Sequence, residues 1–216
     1  MSDRVLYAEW PAPANIAAGT TLRDGGESDL PAKPAWLNQV HGNRVVKLGS
    51  DDFAAGEPAA DAVIGDQPGD LCVIRTADCV PVLLCARDGA EIAAIHAGWR
   101  GLAAGVIDAT VSRMAAAPSE LLAWIGPAIG QASFEVGAEV RESFAGAGFD
   151  TEGRFMSNDR GRWQADLFGL AADRLRTIGV TAVYGERICT FEDPERFFSF
   201  RRDGSTGRLL NFVFRH

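Results

Sequence analysis

Histidine is scarce in this chain, with three among 216 residues, so any site built on imidazole must draw on His41, His96 or His216. His216 is the last residue, where chains fray. Long apolar runs are missing as well. No 18-residue uninterrupted apolar stretch occurs, so no membrane span is expected. Positive charge is in deficit: 21 Lys and Arg face 29 Asp and Glu, giving a net charge of −8 and a pI near 4.9. That balance argues against a general nucleic-acid surface, which Lys and Arg must supply. The four cysteines, Cys72, Cys79, Cys85 and Cys189, show neither CxxC spacing nor the density of a disulfide scaffold. They point to a reducing, cytoplasmic compartment, and the N-terminus lacks the basic-then-apolar order of a signal peptide. GxGxxG and GxxxxGK[ST] are both absent, which removes the obvious dinucleotide and P-loop sites. No internal repeat or low-complexity tract appears.

What is present is 47% apolar content, enough for one large core in a single α+β or α/β domain. His41 in NQVHGNRV and His96 in IAAIHAGWRG bracket Cys79 in RTADCVPVLL. One Cys and two His form a complete protein ligand set for a catalytic zinc, which leaves a fourth position for water or substrate. Two of the three are brought together locally. CVPVLLCA and AEIAAIH read as strands joined by a turn at Asp88 and Gly89, so Cys79 and His96 both fall at the open end of a hairpin. Opposed or diagonal positions there lie roughly 5 to 8 Å apart at Cβ. Each residue alone also fits a plain core role, Cys79 as a small apolar residue and His96 as a hydrogen-bonded histidine. Their coincidence at strand ends, where sites are assembled, favours a metal or nucleophile site.

Arginines stand out locally against the acidic background: Arg100 in HAGWRG, and Arg201 with Arg202 in FFSFRRDGSTGR. They either pair with surface acids or form a pocket for one small anion, which a guanidinium fork suits. Strands are expected near residues 5–9, 35–40, 44–48, 62–64 and 71–76, then the hairpin. A helix with Leu102, Val106, Ala109 and Met114 on its buried face is expected after Gly101. Gly98 and Gly101 would allow a tight turn before that helix, whose free N–H groups would face an anion. LLAWIGPAIG reads as a strand running into a turn and EVGAEVRESFAG as a short helix. RWQADLFGLAADRLRTIG reads as an amphipathic helix ending at Gly179, followed by strands in TAVYGERICT and GRLLNFVFR.

Taken in order, NQVHG, RTADCVPVLL, HAGWRGLAAGV, IGPAIG with FEVGAEV, CT and FFSFRRDGSTGR resemble the family variously named laccase-domain protein, polyphenol oxidase, peptidoglycan editing factor and purine nucleoside phosphorylase. The resemblance covers nearly the whole chain. It implies a single α+β domain over residues 1–216, layered α/β/β/α around mixed β-sheets, with zinc held by His41, Cys79 and His96. Copper is a possible substitute. It also implies phosphorolysis of adenosine, inosine, guanosine and methylthioadenosine, together with adenosine deamination. Arg100, Arg201, Arg202, Arg23 and Asn38 become candidates for binding phosphate or nucleoside, and Asp78 for an acid/base or ligand-orienting role. A monomer is expected, acting on a small molecule, without nucleic acid or membrane as partner. One departure is large. TLRDGGES runs almost directly into DLPAKPAWLNQVHG, so the segment containing SLNLG that family members usually carry is missing between Ser28 and Asp29, and Leu22, Asp24 and Glu27 differ from the usual residues.

Three classes of activity come into question. In the first, zinc assists water at C6 or phosphate at C1′ of a purine nucleoside. The second is polyphenol oxidation by copper, but three histidines cannot ligate the several coppers of a multicopper oxidase. In the third, Cys79 is a nucleophile and His96 its base, in a hydrolase editing cell-wall peptide precursors.

Overall fold

The computed structural model describes residues 3–216. In chain order its strands are β1 (Val5–Tyr7), β2 (Ile16–Thr21), β3 (Val45–Lys47), β4 (Ala62–Gly65), β5 (Leu71–Thr76), β6 (Val80–Ala86), β7 (Ile92–Ala97), β8 (Leu121–Ile125), β9 (Glu135–Val136), β10 (Phe155–Ser157), β11 (Trp163–Ala165), β12 (Ala182–Tyr184) and β13 (Leu209–Arg215). The α-helices are α1 (Trp99–Ala103), α2 (Val106–Arg113), α3 (Ala138–Gly146), α4 (Leu167–Thr177) and α5 (Phe200–Asp203). Three sheets result, ordered β12-β8-β6-β7-β4-β3, β1-β2-β13-β5 and β10-β11-β9. The largest is mixed, because β12 and β8 run parallel, as do β3 and β4, while its other pairs are antiparallel.

Strand β6 explains the layering. All seven of its residues are buried, as expected of a strand covered on both faces. Successive side chains alternate: Val80, Val82, Leu84 and Ala86 pack with the helices, while Leu83 and Cys85 pack toward the four-stranded sheet. Strand β7 divides likewise, Ala93, Ile95 and Ala97 on the helix side, Ile92 and Ala94 on the sheet side. By this parity His96 faces the four-stranded sheet, and so does Cys79 one residue before β6. The outer face of that sheet, with Val5, Leu71, Val73, Leu210 and Phe212, is covered by Leu30, Ala32 and Trp36 from the stretch after a single 3₁₀ turn, Glu27–Asp29. The α/β/β/α order is thus present with its last layer reduced to that stretch.

The hairpin forms as its residues dictate. Gly89 takes a φ of 71°, the Asp88 carboxylate accepts from the Ala90 N–H, and Ala86 donates to the Glu91 carbonyl. Five expectations need correction. Two stretches read as helix begin as strands, β9 at Glu135–Val136 and β11 at Trp163–Ala165, with the helices starting at Ala138 and Leu167. The strand expected at 35–40 is a loop with one isolated bridge, Asn38 to Ala59. There the Gln39 amide pairs with the N–H and C=O of Arg75 at 2.8 Å each, so a side chain takes the place of a backbone neighbour beside β5. The helix expected after Gly101 is two helices, because Gly105 adopts a φ of 84° between α1 and α2. Leu102 and Val106 are still buried, but Ala109 is only half-buried. In TAVYGERICT only Ala182–Tyr184 is strand, since Gly185 leaves the sheet at a φ of 118°.

Phe144, wholly buried, stacks edge-on against Phe149 with ring centroids 5.1 Å apart. Phe144→Ala should cost about 3 to 5 kcal/mol of unfolding free energy by urea denaturation. Met156→Ala, at a side chain 60% exposed, should cost less than about 0.5 kcal/mol.

Candidate metal centre and pocket

The strand register places Val80 opposite Ala97 and Pro81 opposite His96, so Cys79 and His96 meet as diagonal neighbours at the open end of the hairpin. His41 arrives from the loop before β3 with a φ of 60°, a conformation uncommon for a non-glycine residue. What holds it there is Asp61, a fully buried residue just before β4. Its carboxylate accepts the backbone N–H groups of His41 (2.9 Å), Gly42 (2.7 Å) and Val40 (3.3 Å). The same carboxylate lies 2.8 Å from Nδ1 of His96, which fixes that ring and turns its Nε2 toward the site. One side chain therefore sets the position of both histidines. Such carboxylate–histidine pairs commonly orient metal ligands.

The three donor atoms lie within 4.8 Å of one another. The separation of Cys79 Sγ and His41 Nε2 is 3.9 Å, close to the roughly 3.6 Å that tetrahedral bonds of about 2.3 and 2.1 Å to one ion would impose. The donors fit a single metal ion. Two glycines keep the space clear. A Cβ on Gly98 would come within 3.0 Å of both Cys79 Sγ and His41 Cδ2, and one on Gly101 within 2.8 Å of the Gly42 carbonyl.

Electrostatics prepare the donors. Burial pushes the Cys79 thiol up, but hydrogen bonds to His41 and His96 and their positive charge outweigh it and bring its pKa down to about 6. Burial dominates at Cys85, where the charge of Arg87 opposes it only in part and the pKa rises to about 12. For His96 burial favours the neutral ring, yet Asp61 and Cys79 more than compensate and raise it to about 9. Burial likewise opposes the charge on Asp61, and its bonds to His96, Gly42 and His41 still leave it below the ordinary carboxylate value.

These donors form the floor of a cavity of about 590 Å³, lined also by Asn38, Gln39, Arg75, Thr76, Ala77, Asp78, Ile129, Phe134, Phe200, Arg201 and Arg208. Of the residues singled out in the sequence, His41, Cys79, His96, Asp78, Asn38 and Arg201 converge here. The other three do not. The Arg202 guanidinium is spent on the carbonyls of Thr190, Phe191 and Phe197 and on Asp203. Arg23 stacks on Phe198, donates to the Pro194 carbonyl and pairs with Asp203. Arg100 is exposed and lies over the Trp99 ring, 4.4 Å from its centroid. Asp78, with a φ of 86°, has both oxygens engaged at 2.7 Å, one by the Thr190 hydroxyl and the other by the Arg201 N–H. That geometry makes it a tie between the Cys79 turn and α5.

Sequence reasoning missed Asp61, Arg75 and Arg208. A signal existed for two of them. Asp61 opens the buried strand AVIG, where a carboxylate needs partners, and Arg75 is the one charged residue in LCVIRT. Arg208 sits in a polar turn and carried no such mark.

Asp61→Asn keeps the shape but replaces one accepting oxygen with a donor facing N–H groups. It should lower the stability of the metal-free protein by about 3 kcal/mol in urea denaturation. It should also weaken metal binding at least about tenfold, as loss of such orienting partners commonly does. Unchanged affinity in the folded variant would show that the histidines hold themselves.

The chain's residues 20–216 match the family model described as multi-copper polyphenol oxidoreductase laccase. It is 40% identical over 242 residues to a purine nucleoside phosphorylase, YfiH, of Escherichia coli K12, covering 98% of each chain. It is 42% identical over 238 residues to a purine nucleoside phosphorylase of Pseudomonas aeruginosa, covering 96% of this chain and 97% of that one. The crystal structure of Neisseria meningitidis protein NMB0706 superposes with a TM-score of 0.90 at 37% identity, covering 99% of both chains. An alignment of 242 positions against 98% of a 216-residue chain leaves roughly thirty positions of the E. coli protein without a counterpart here, a loop-scale difference that a fold tolerates. The chain belongs to the multi-copper polyphenol oxidoreductase laccase family.

Proposed function

We propose that this protein is a zinc-dependent enzyme of purine nucleosides, catalysing phosphorolysis of adenosine, inosine, guanosine and methylthioadenosine and deamination of adenosine. The observation that carries the reading is the sharing of one cavity by a three-donor metal set and three arginines, Arg201, Arg208 and Arg75, the last also paired with Glu57 at 3.3 Å. The names of the relatives agree with it. Zinc held by His41, Cys79 and His96 would supply Lewis-acid polarisation. The chain's own residues do the rest. Phe134 and the 59%-exposed Phe200 offer aromatic faces to a purine, and Asn38 a polar edge. The guanidiniums hold phosphate beside the sugar. In phosphorolysis a phosphate oxygen bonds to C1′ as the glycosidic bond breaks, and its electron pair leaves on the purine nitrogen, which takes up a proton. In deamination water adds at C6 and ammonia departs.

A second reading, a Cys79 nucleophile in a hydrolase of cell-wall peptide precursors, is favoured by one observation, the Asp61–His96 pair beside the thiol. Copper in place of zinc at the same donors would give a third. The family's multi-copper description asks for more imidazole than three histidines provide.

Metal analysis separates these readings. Protein made with ample zinc should carry about one zinc per chain. Cys79→Ala should lose both the metal and nucleoside turnover, while Cys85→Ala, wholly buried in the core, should keep them. A metal-free, chelator-insensitive enzyme would instead favour the thiol nucleophile. Protons should be displaced on binding. In the metal-free site His96 keeps its proton up to about 9, whereas Cys79 is a thiolate above about 6. Between those values one proton must leave, so zinc affinity should rise about tenfold per pH unit and level off above the upper value. Competition with a chelator across that range is the check, and a flat profile contradicts this ligand pair.

Phosphate recognition is tested by contrast. Arg201→Gln and Arg208→Gln should raise the phosphate KM about tenfold or more, the worth of a charge-assisted hydrogen bond, and spare deamination, which uses water. Arg202→Gln should instead destabilise the 190–203 segment, because its guanidinium bonds to backbone there. Equal loss of both activities in Arg201→Gln and Arg208→Gln would assign these residues a structural role.

A further inference from the structure

A second, smaller cavity of about 190 Å³ lies at the seam where the edge strand of each large sheet, β1 and β12, meets the loop after β8. The chain has two tyrosines, and both line this cavity: Tyr7 from β1 and Tyr184 from β12. Tyr184 is the register partner of Trp124 on β8, so the two rings stand side by side on one sheet face, with Trp124 almost wholly buried. The backbone closes in at Gly185, whose φ of 118° sets it against the Ile125 carbonyl, where any Cβ would overlap that oxygen. Two exposed carboxylates, Glu9 and Glu186, complete the lining, and no Lys, Arg or His is part of it. None of the side chains of Tyr7, Tyr184, Glu9 and Glu186 has a hydrogen-bond or ion-pair partner among the described residues. Elsewhere on this surface carboxylates pair with arginine or lysine, as Asp203 does with Arg202 and Asp66 with Lys47.

Aromatic faces carry negative charge, and a cation placed over them is held most strongly where water is excluded. Three aromatic side chains, Trp124 almost wholly buried and Tyr7 and Tyr184 half-buried, wall a small cavity beside two unpaired carboxylates, with no cation in the lining. A phosphate or a nucleoside phosphate would meet only negative charge. We propose that this seam cavity is a ligand site separate from the metal pocket, and that it takes a small alkylated ammonium cation. The inference is independent of the nucleoside reading, since no residue of the cavity lines the metal pocket.

Choline, its uncharged isostere 3,3-dimethylbutan-1-ol and ammonium chloride serve as probes, titrated against the full chain by calorimetry and by saturation-transfer NMR. Choline should bind, and the alcohol about tenfold or more weakly, because it fills the same volume without the charge. Ammonium, which cannot cover the rings, should compete poorly. Tyr184→Leu should weaken choline about tenfold. Glu9→Gln with Glu186→Gln should weaken it severalfold and remove its dependence on salt. Those two carboxylates are exposed and unpaired, so the double variant keeps the test decisive if Tyr184→Leu does not fold. Equal binding of choline and the alcohol would reduce the cavity to a plain apolar dent. No choline binding to folded wild type, or binding unaltered in Tyr184→Leu and in the double carboxylate variant, overturns the proposal.

Discussion

The Asp61 carboxylate is the constraint on which the His41, Cys79 and His96 donor cluster depends. Left without partners, a buried charge costs several kcal/mol, so the fold must surround it with donors. The donors it takes are three consecutive N–H groups of the 40–42 loop and the Nδ1 of His96. Satisfying one charge therefore places two of three donor residues, and it holds His41 in a left-handed conformation that such a residue would otherwise leave. Gly98 and Gly101 are the steric complement, since side chains there would enter the donor space or strike the 42 carbonyl. Ligand position, backbone strain and glycine placement are one arrangement.

How much of this was legible in the sequence depended on distance along the chain. The hairpin was readable because turn chemistry at Asp88 and Gly89 and two apolar runs fix their own register, which put Cys79 beside His96. His41 could be named by type but not placed, because what places it is a contact across 20 residues to Asp61. Alternation and continuous apolar runs identified β5, β6, β7 and β13. They misread 35–40, where a Gln39 side chain replaces a strand, and 102–114, where one left-handed glycine splits the helix. The arginines show the same limit. Arg201 and Arg202 are adjacent and chemically identical, yet the short helix α5 points one at the cavity and spends the other on three carbonyls. Adjacent residues on a helix do not share a face, and sequence motif alone carries no phase for a helix this short.

The outer layer bears on the pocket. Leu30, Ala32 and Trp36 pack on the outer face of the four-stranded sheet, and Arg75 at the sheet edge stacks on Trp36 at 4.9 Å while donating to the Leu37 carbonyl. The stretch that covers the outer face thus also braces one of the cavity's arginines. Trp36, the Leu37 carbonyl and the Glu57 carboxylate, 3.3 Å from the guanidinium, together brace Arg75.

The proposed anion recognition, in a chain of net charge −8, must be local rather than global. Asp78, the one carboxylate lining the cavity, spends both oxygens on neutral donors, the Thr190 hydroxyl and the Arg201 N–H, and keeps its charge. Arg201 is anchored through the Glu135 carbonyl and the Phe134 ring, and Arg208 through the carbonyls of Thr206 and Gly207. Guanidiniums bonded to neutral carbonyls keep their full charge, whereas Arg202, paired with Asp203, does not present one. Side chains already ordered by such bonds lose less freedom when an anion arrives. In the phosphorolysis proposed above, the field a phosphate would meet is set by Arg201 and Arg208, held by carbonyls, against the charges of Asp78 and of Glu57 beside Arg75.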